Sequence, residues 1–105
     1  MNKYESIIII NSSVDDAGVK AIIEKFTTLI NTDGSVTSAL EMGKKKLAYE
    51  IKDQKEGLYI LFNFEANPSL IQELERVYRI TNEILKYMVI KKEEEKKTET
   101  ESKGE

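Results

Sequence analysis

Three consecutive lysines in the stretch MGKKKLAYEI, Met42 to Ile51, are the residues of this chain whose type and spacing could do chemistry. Lys44, Lys45 and Lys46 offer three ammonium groups, which attract phosphates and other anions as compact point charges. The chain has no cysteine and no histidine. Thiolate metal sites, cysteine nucleophiles and imidazole acid–base catalysis are therefore excluded. The sequence favours binding over catalysis, and we expect no metal, no other cofactor and no small-molecule substrate.

The lysine run lies in a chain of 105 residues that is acidic overall, with 16 basic and 19 acidic residues and a net charge of −3. Much of the acidity is at the C-terminal end, where four lysines and six glutamates follow from Lys92 onward with no large apolar residue. Such a composition has too little to bury to offset the entropy of folding. We therefore predict a folded domain over residues 1–91, with a net charge near −1, and a disordered acidic tail over residues 92–105.

The N-terminal segment shows no sign of membrane targeting. No apolar run approaches the roughly 18–20 residues that a membrane span requires. MNKYESIIII places Glu5 before a run of only four isoleucines, which is unlike a signal peptide. A cytoplasmic protein without a membrane partner is the expectation.

The elements that must position the lysines alternate between strand and helix patterns. Apolar, β-branched or aromatic runs predict strands, and apolar residues at helical spacing predict two helices. The strands are Tyr4–Asn11, Ser35–Met42 with a continuation or second segment at Lys46–Ile51, Leu58–Ala66 and Ile84–Lys91. The order β-α-β-β-α-β is typical of an α+β, ferredoxin-like fold, in which a four-stranded antiparallel sheet carries both helices on one face.

Polar residues mark the ends of the helices and one hairpin. Ser13 with Asp16 resembles a capping box at the start of the first helix, and Gly34 is expected to stop it. Asn67 and Pro68 form an N-cap and first-turn pair for the second helix, which runs to about Arg79. The polar residues 52–57 predict a hairpin loop.

The apolar register changes at the lysines. Val36, Leu40 and Met42 occupy even positions, whereas Leu47 and Tyr49 occupy odd ones, and a strand of period two cannot keep one face buried through that change. A β-bulge or bend at Gly43 would absorb the extra residue; an ordinary turn between two strands is the alternative. Because burying an unpaired ammonium is costly, we expect this region to project beyond the helices.

Strand alternation predicts an apolar open face on the sheet. Tyr59, Leu61, Met88 and Ile90 should lie opposite the helices with Lys86 beside them, and Ile7 and Ile9 are candidates to join them. A patch of this kind indicates a protein partner. The alternation is weak, however, and the opposite assignment of the two faces stays open.

Three motifs resemble a known family. KYE (Lys3–Glu5), GKKKLAYEI (Gly43–Ile51) and KYMVI (Lys86–Ile90) are similar to the bacterial small-subunit ribosomal protein S-six family, with Gly57 and Tyr59 following at the expected places. The resemblance covers about residues 1–92. It implies a ferredoxin-like fold and a non-catalytic role: binding ribosomal RNA in the central domain of the small subunit, as a heterodimer with small ribosomal protein S-eighteen.

The resemblance also implies site residues. Basic or aromatic residues of the family match positions of this chain, and two exposed-edge tyrosines are candidates for the protein partner, although both could equally belong to the core. Asn2 and Thr81 are neutral where some relatives are basic. Lysine in place of arginine keeps the charge but suits phosphate binding better than base reading. The expected RNA contacts are Lys3, Tyr4, Lys44, Lys45, Lys46, Arg79 and Lys86; the expected partner contacts are Tyr49 and Tyr59.

Two other functions share this element order. An RNA-recognition motif reads single-stranded bases with aromatics on its central strands, but EGLYILFNF lacks the basic residue before the glycine and the small residue after the aromatic. An acylphosphatase-like enzyme would need an arginine in an anion-binding loop after the first strand. Asp15 and Asp16 in NSSVDDAGV would instead repel phosphate.

Overall fold

The computed structural model describes residues 1–92, and their elements follow the predicted order. Strand β1 spans Asn2–Asn11, helix α1 Asp16–Asn31, β2 Gly34–Ile51, β3 Gln54–Ala66, α2 Pro68–Ile80 and β4 Ile84–Lys92. All neighbouring strands are antiparallel and form one four-stranded sheet in the order β2-β3-β1-β4. The predicted ferredoxin-like fold is confirmed.

The core lies between one face of the sheet and the two helices. In β1, Ile8 and Ile10 are completely buried on the helix face, whereas Ile7 and Ile9 alternate onto the open face. Apolar residues of each helix at three- and four-residue spacing complete the same cluster; they are Val19, Ile22, Phe26 and Ile30 from α1 and Leu70, Leu74, Val77 and Tyr78 from α2.

One buried hydrogen bond ties the sheet to α2. The hydroxyls of Ser6 on β1 and Tyr78 on α2 lie 2.8 Å apart, and both side chains are almost fully buried. The Tyr78 ring also packs against Phe26 and Tyr87. Burial raises the pKa of Tyr78 above its ordinary value, with Glu75 adding to the effect and the Ser6 hydrogen bond opposing it. This pair satisfies two polar groups that would otherwise be stranded in the core.

The N-terminus of α1 differs from the sequence prediction. Asp15 is the N-cap, and its carboxylate accepts a hydrogen bond of 2.8 Å from the amide of Gly18. Ser13 instead donates its hydroxyl to Asn11. The predicted N-cap was therefore two residues too early, and the predicted capping box is wrong because Gly18, three residues after Asp15, has no side chain to complete it.

The C-terminus predicted for α1 was also wrong in detail. The helix ends at Asn31 with Thr32 as its cap, and Gly34 is already the first residue of β2. A Cβ on Gly34 would lie 2.2 Å from the carbonyl oxygen of Glu65, so glycine is required there by close strand packing. The N-cap position predicted for α2, at Asn67 with Pro68 following, is confirmed.

A β-bulge changes the register of β2 next to the lysines. The pairing with β3 shifts between Glu41 and Gly43, and Gly43 has a φ of +92°. Since β2 runs without interruption through this point, the bulge predicted from apolar parity is confirmed and the alternative of a turn between two strands is wrong.

Beyond the Lys45–Gly57 pair, β2 and β3 project as a two-stranded ribbon. Strand β1 ends at Asn11, opposite Gly57, so the residues of β3 before Gly57 pair with the edge strand β2 alone. A straight strand of 18 residues would extend about 60 Å, which exceeds the 42 Å length of the whole molecule, so β2 is strongly bent. The helices do not cover its outer part, since the residues from Glu41 to Glu50 are all exposed except the half-buried Leu47.

The ribbon ends in a tight turn. Lys52 and Asp53 both have positive φ, of 51° and 65°, and Ile51 pairs with Gln54 across them. These are the features of a two-residue type I′ hairpin turn, which matches the twist of the flanking strands. The predicted loop over residues 52–57 is thus wrong beyond its first two residues, because β3 already begins at Gln54.

Two further expectations from the sequence concern the C-terminal tail and membrane-spanning helices. Lys92, where the acidic tail was predicted to begin, is the last residue of β4, and the remainder of that tail lies outside the described residues. Among residues 1–92, no helix is both long and apolar enough to cross a membrane.

Candidate nucleic-acid interface

Two lysines and two tyrosines meet on the open face where the ribbon leaves the sheet; we call Lys45, Tyr49, Tyr59 and Lys86 the bend cluster. The ammonium of Lys45 lies 5.5 Å from the ring centroid of Tyr59, and that of Lys86 lies 5.7 Å from the centroid of Tyr49. Lys86 also approaches the Tyr49 hydroxyl at 3.4 Å. Each ring holds an ammonium by a cation–π contact without neutralising its charge.

The twist of the ribbon brings the cluster together. Lys86 is on β4 and Tyr49 on β2, which form opposite edges of the sheet. Two-stranded ribbons twist more strongly than wide sheets, and the ribbon curls across the end of the sheet until Tyr49 reaches Lys86. A second contact also joins the ribbon to β4, since the Lys52 ammonium donates a hydrogen bond to the carbonyl oxygen of Ile84 at 3.5 Å.

A third basic residue borders the cluster from the helix layer. Arg79, exposed at the end of α2, lines a surface groove together with Lys52 and Lys86. The groove and the bend cluster share Lys86, so four basic residues and two tyrosines form one continuous region. The basic residues are Lys45, Lys52, Arg79 and Lys86. A region of like charge on a rigid sheet is suited to a polyanion.

An apolar row crosses the open face beside the bend cluster. The strand register aligns Leu40, Leu61, Ile7 and Met88 in that order across the sheet, and we call these four residues the apolar row. Leu40 is 52% and Met88 47% exposed. A hollow of about 180 Å³ between the row and the cluster is lined by Ile7, Ile9, Tyr59, Lys86, Tyr87 and Met88. The predicted assignment of the open face is confirmed, and the inverted alternative is wrong.

Comparison with known proteins identifies the family. The family model described as Ribosomal protein S6 matches residues 3–91. The chain is 47% identical over 94 residues to a small ribosomal subunit protein bS6 of Clostridium novyi, covering 89% of this chain and 99% of the relative. It is 47% identical over 95 residues to the protein of the same name from Clostridium perfringens, covering 90% and 100%.

The chain belongs to the ribosomal protein S6 family.

The fold agrees with that membership. A crystal structure of 30S ribosomal protein S6 from Thermotoga maritima superposes with a TM-score of 0.82 at 32% identity, covering 87% of each chain. The family predicted from the three sequence motifs is thereby confirmed. The chain is a ribosomal protein of the small subunit and a structural component, not an enzyme.

The three consecutive lysines of this S6 protein do not form one patch. Strand alternation points Lys45 to the open face, where it pairs with Gly57, whereas Lys44 and Lys46 pair with Leu58 and Glu56 on the opposite face of the ribbon. All three are exposed. Only Lys45 joins the bend cluster, and the other two charge the reverse side of the same projection.

The remaining predicted RNA residues lie away from the cluster. Lys3 is exposed on the open face, in a row with Glu65 and Lys92. It is six residues along β1 from Ile9, which pairs with Lys86, a distance of about 20 Å at strand spacing. Lys3 therefore lies at the far end of the open face.

Tyr4 is in the core, against the expectation of an RNA contact. Its side chain is only 6% exposed, and its ring stacks on Phe64 at 5.6 Å. The helix face of β1 carries the even-numbered residues, so Tyr4 points the same way as Ile8 and Ile10. A ring held there cannot stack on a base, and we do not include it in the interface.

Both predicted partner residues lie on the surface. Tyr49 is 63% exposed and Tyr59 is half-buried on the open face, so neither belongs to the core.

Sequence reasoning missed Lys52, whose only signal was its place in a polar hairpin. It also missed Lys92, whose ammonium donates to the Asn63 amide oxygen at 2.9 Å. Among residues 1–92, no group of three acidic side chains that could hold a metal is found.

Proposed function

We propose that this protein binds small-subunit ribosomal RNA through the basic region around the bend cluster, in the central domain and together with ribosomal protein S-eighteen. The observation that carries the proposal is the pairing of Lys45 with Tyr59 and of Lys86 with Tyr49 at one end of an open sheet. Family membership supplies the setting, the small subunit.

The chemistry of the cluster favours backbone contacts. Lysine binds phosphate as a point charge and does not form the bidentate fork with which arginine reads guanine. Phosphate contacts fix the position of a protein on RNA, and RNA shape then supplies much of the specificity. We therefore expect the cluster to neutralise phosphates of a folded RNA surface.

The apolar row supports a protein partner on the same face. Leu40 and Met88 leave about half of their side-chain surface exposed, next to the partly buried Ile7 and Leu61. Contiguous apolar surface of this kind marks interaction sites. We place S-eighteen on the apolar row, with Tyr49 and Tyr59 at the boundary between protein and RNA.

The alternative of an RNA-recognition motif has no support in the open face. Such motifs stack bases on aromatics of their two central strands. Here the open face of β1 carries Lys3, Glu5, Ile7 and Ile9, and Tyr59 is the one aromatic on that face of β3. The face therefore does not present the stacking platform that this mode of binding requires.

The RNA contact is tested with charge-matched variants. Lys45→Ala with Lys86→Ala removes two charges from the cluster, and Lys20→Ala with Lys25→Ala removes two exposed charges from α1, behind the sheet. In titrations of small-subunit ribosomal RNA with S-eighteen present, the first variant should bind about tenfold more weakly. Its log–log salt slope should fall by up to about 1.4–1.8, since each phosphate contact contributes about 0.7–0.9.

The α1 variant should bind as the wild-type protein does. Equal losses in both variants would mean that overall charge and not the bend cluster sets the affinity. Unchanged affinity and slope in the Lys45 and Lys86 variant would refute the assignment of the cluster.

A further inference from the structure

We infer that the acidic residues 93–105 act as an internal competitor of RNA, contacting the bend cluster when no RNA is bound. This inference rests on the proposed function of the cluster. Residues 93–105 contain six glutamates and three lysines, a net charge of −3. The described residues 1–92 contain 13 basic and 13 acidic residues, so the excess negative charge of the protein is confined to this segment.

The segment starts on the correct part of the sheet. Its point of departure is Lys92, the last residue of β4, which pairs with Lys3 at the far end of the open face. Lys86 lies six residues earlier on the same strand, about 20 Å away. Thirteen residues can span at most about 43–47 Å, and Glu99, seven residues after Lys92, can already span about 23–25 Å.

Among the described residues, no carboxylate forms an ion pair with Lys45 or Lys86, although Glu50 and Glu56 line a groove on the ribbon together with Tyr49. Within residues 1–92, the ion pair found is Glu73 with Arg76 on α2, where the Arg76 hydrogen bond lowers the pKa of the Glu73 carboxyl. Lys45 and Lys86 are held by tyrosine rings, which leave their charges uncompensated. A tethered anionic segment is thus complementary in charge to the surface it can reach.

Tethering makes a weak interaction effective. Exposed ion pairs are individually weak and are screened by salt. Attachment to the same chain, however, supplies an effective concentration in the millimolar range. The expected result is a modest competition, of a few fold in RNA affinity, which is greatest at low salt and favours high-affinity RNA over incidental polyanions.

The acidic segment also distinguishes this chain from two of its relatives. The family model ends at residue 91. The matched 94 and 95 residues account for 99% and 100% of the two Clostridium proteins, so most of the segment extends beyond what those relatives possess. The competition we infer is therefore a property that these two relatives are not expected to share.

The contact itself is tested without RNA. The chain has no cysteine, so Gly104→Cys allows a single nitroxide spin label on the full-length protein, with a diamagnetic label as control. At about 50 mM salt, the label should broaden the amide resonances of Tyr59 and Lys86, and about 0.5 M salt should remove the effect. Replacing the six glutamates of residues 93–105 by glutamine should abolish it. Broadening confined to the neighbours of Lys92, or insensitive to salt, would overturn the inference.

The competition is tested with two opposite full-length variants. Against polyuridylic acid at about 50 mM salt, the six-glutamine variant should bind several-fold more tightly than wild type. The opposite variant should bind polyuridylic acid more weakly than wild type, because its segment is more acidic; it carries Lys96→Gln, Lys97→Gln and Lys103→Gln. Equal affinities of all three proteins would overturn the inference. If the label contacts the cluster but no variant binds small-subunit ribosomal RNA, the proposed function fails and the internal contact stands.

Discussion

At the scale of single residues, one glycine shapes the projection that carries the lysines. Gly43 has a φ of +92°, and a Cβ there would meet no atom within 4 Å. A side chain at this position would therefore be strained by the backbone alone. The effect is local. The bulge at this single residue shifts the pairing register of β2, so the strand beyond it no longer continues the alternation of the part that faces the core.

Substitution of two glycines separates backbone strain from steric clash. Gly43→Ala should lower the free energy of unfolding by about 1–2 kcal/mol, the cost of a strained conformation. Gly34→Ala should cost more, about 3 kcal/mol, because its Cβ would lie 2.2 Å from a backbone oxygen and 2.7 Å from the Cβ of Ala66. Urea unfolding of both variants measures the difference. A Gly34→Ala variant as stable as Gly43→Ala would show that β2 and β3 can separate locally.

How far single residues could be predicted depended on their surroundings. Apolar parity located the bulge at Gly43 but missed a second register shift of β2, between Val36 and Ser38, which places Val36 beside the buried Phe64 and Leu40 beside Leu61 on the open face. The same reasoning could not show on which face of the sheet Tyr4 lies. Residues 7–10 are all isoleucine, and a uniform apolar run does not distinguish the buried positions from the exposed ones. The family resemblance then placed Tyr4 with the RNA contacts, whereas its neighbours Phe64, Ile8 and Ile10 place it in the core.

At the scale of elements, β1 and α2 are joined by the buried Ser6–Tyr78 hydrogen bond. Tyr78→Phe should lower the free energy of unfolding by about 1–3 kcal/mol, since it leaves the Ser6 hydroxyl buried without this partner. Ser6→Ala with Tyr78→Phe should recover part of the loss, because neither polar group then remains. A double-mutant cycle in urea measures the coupling. Strictly additive losses would mean that the hydrogen bond contributes nothing of its own.

The same pair predicts a dependence on alkaline pH. Because burial raises the pKa of Tyr78, the folded protein holds this proton more tightly than the unfolded chain does. The stability that results is fully present below the ordinary tyrosine pKa of about 10 and is lost as the pH rises above it. Between about pH 10 and 11, the free energy of unfolding should therefore fall more steeply for wild type than for the variant with both substitutions. Parallel curves would contradict the burial of an ionisable Tyr78.

Element order could be predicted from the sequence, but contacts between distant elements could not. Local periodicity marked all four strands and both helices. The approach of Tyr49 to Lys86, 37 residues apart, depends on the accumulated twist of a long ribbon. Twist of this kind is a property of paired strands, so it cannot be predicted from the side-chain pattern of either strand alone. The four residues of the bend cluster were therefore named in advance, but their assembly, and the addition of Lys52, could be seen only in the structure.

At the scale of the whole molecule, the sheet divides the protein into two functional sides. The helix side contains the core, and the open side carries a basic region at one end beside an apolar row. The overall negative charge of −3 obscures this arrangement, because the described residues are balanced in charge and the positive groups gather near the ribbon. The two surfaces together fit the proposed function, in which the basic region contacts RNA and the apolar row contacts a second protein.

The apolar row gives a prediction about assembly. Leu40→Ser with Met88→Ser should weaken binding to purified S-eighteen by about tenfold or more, since two half-exposed apolar anchors are lost. Direct binding to RNA should change little, because neither residue is charged. Ile80→Ser is the matched control, as Ile80 is 63% exposed at the end of α2 and away from the row. Equal loss in the control would place the partner elsewhere.

The central claim, that this chain is an RNA-bound structural component of the small ribosomal subunit, is tested most directly by sedimentation. The native protein should migrate with small subunits in a sucrose gradient and remain there through moderate salt, because phosphate contacts and the partner protein retain it together. The Lys45→Ala, Lys86→Ala variant should be released at lower salt than wild type. Recovery of the native protein only as a free monomer at the top of the gradient would contradict the account.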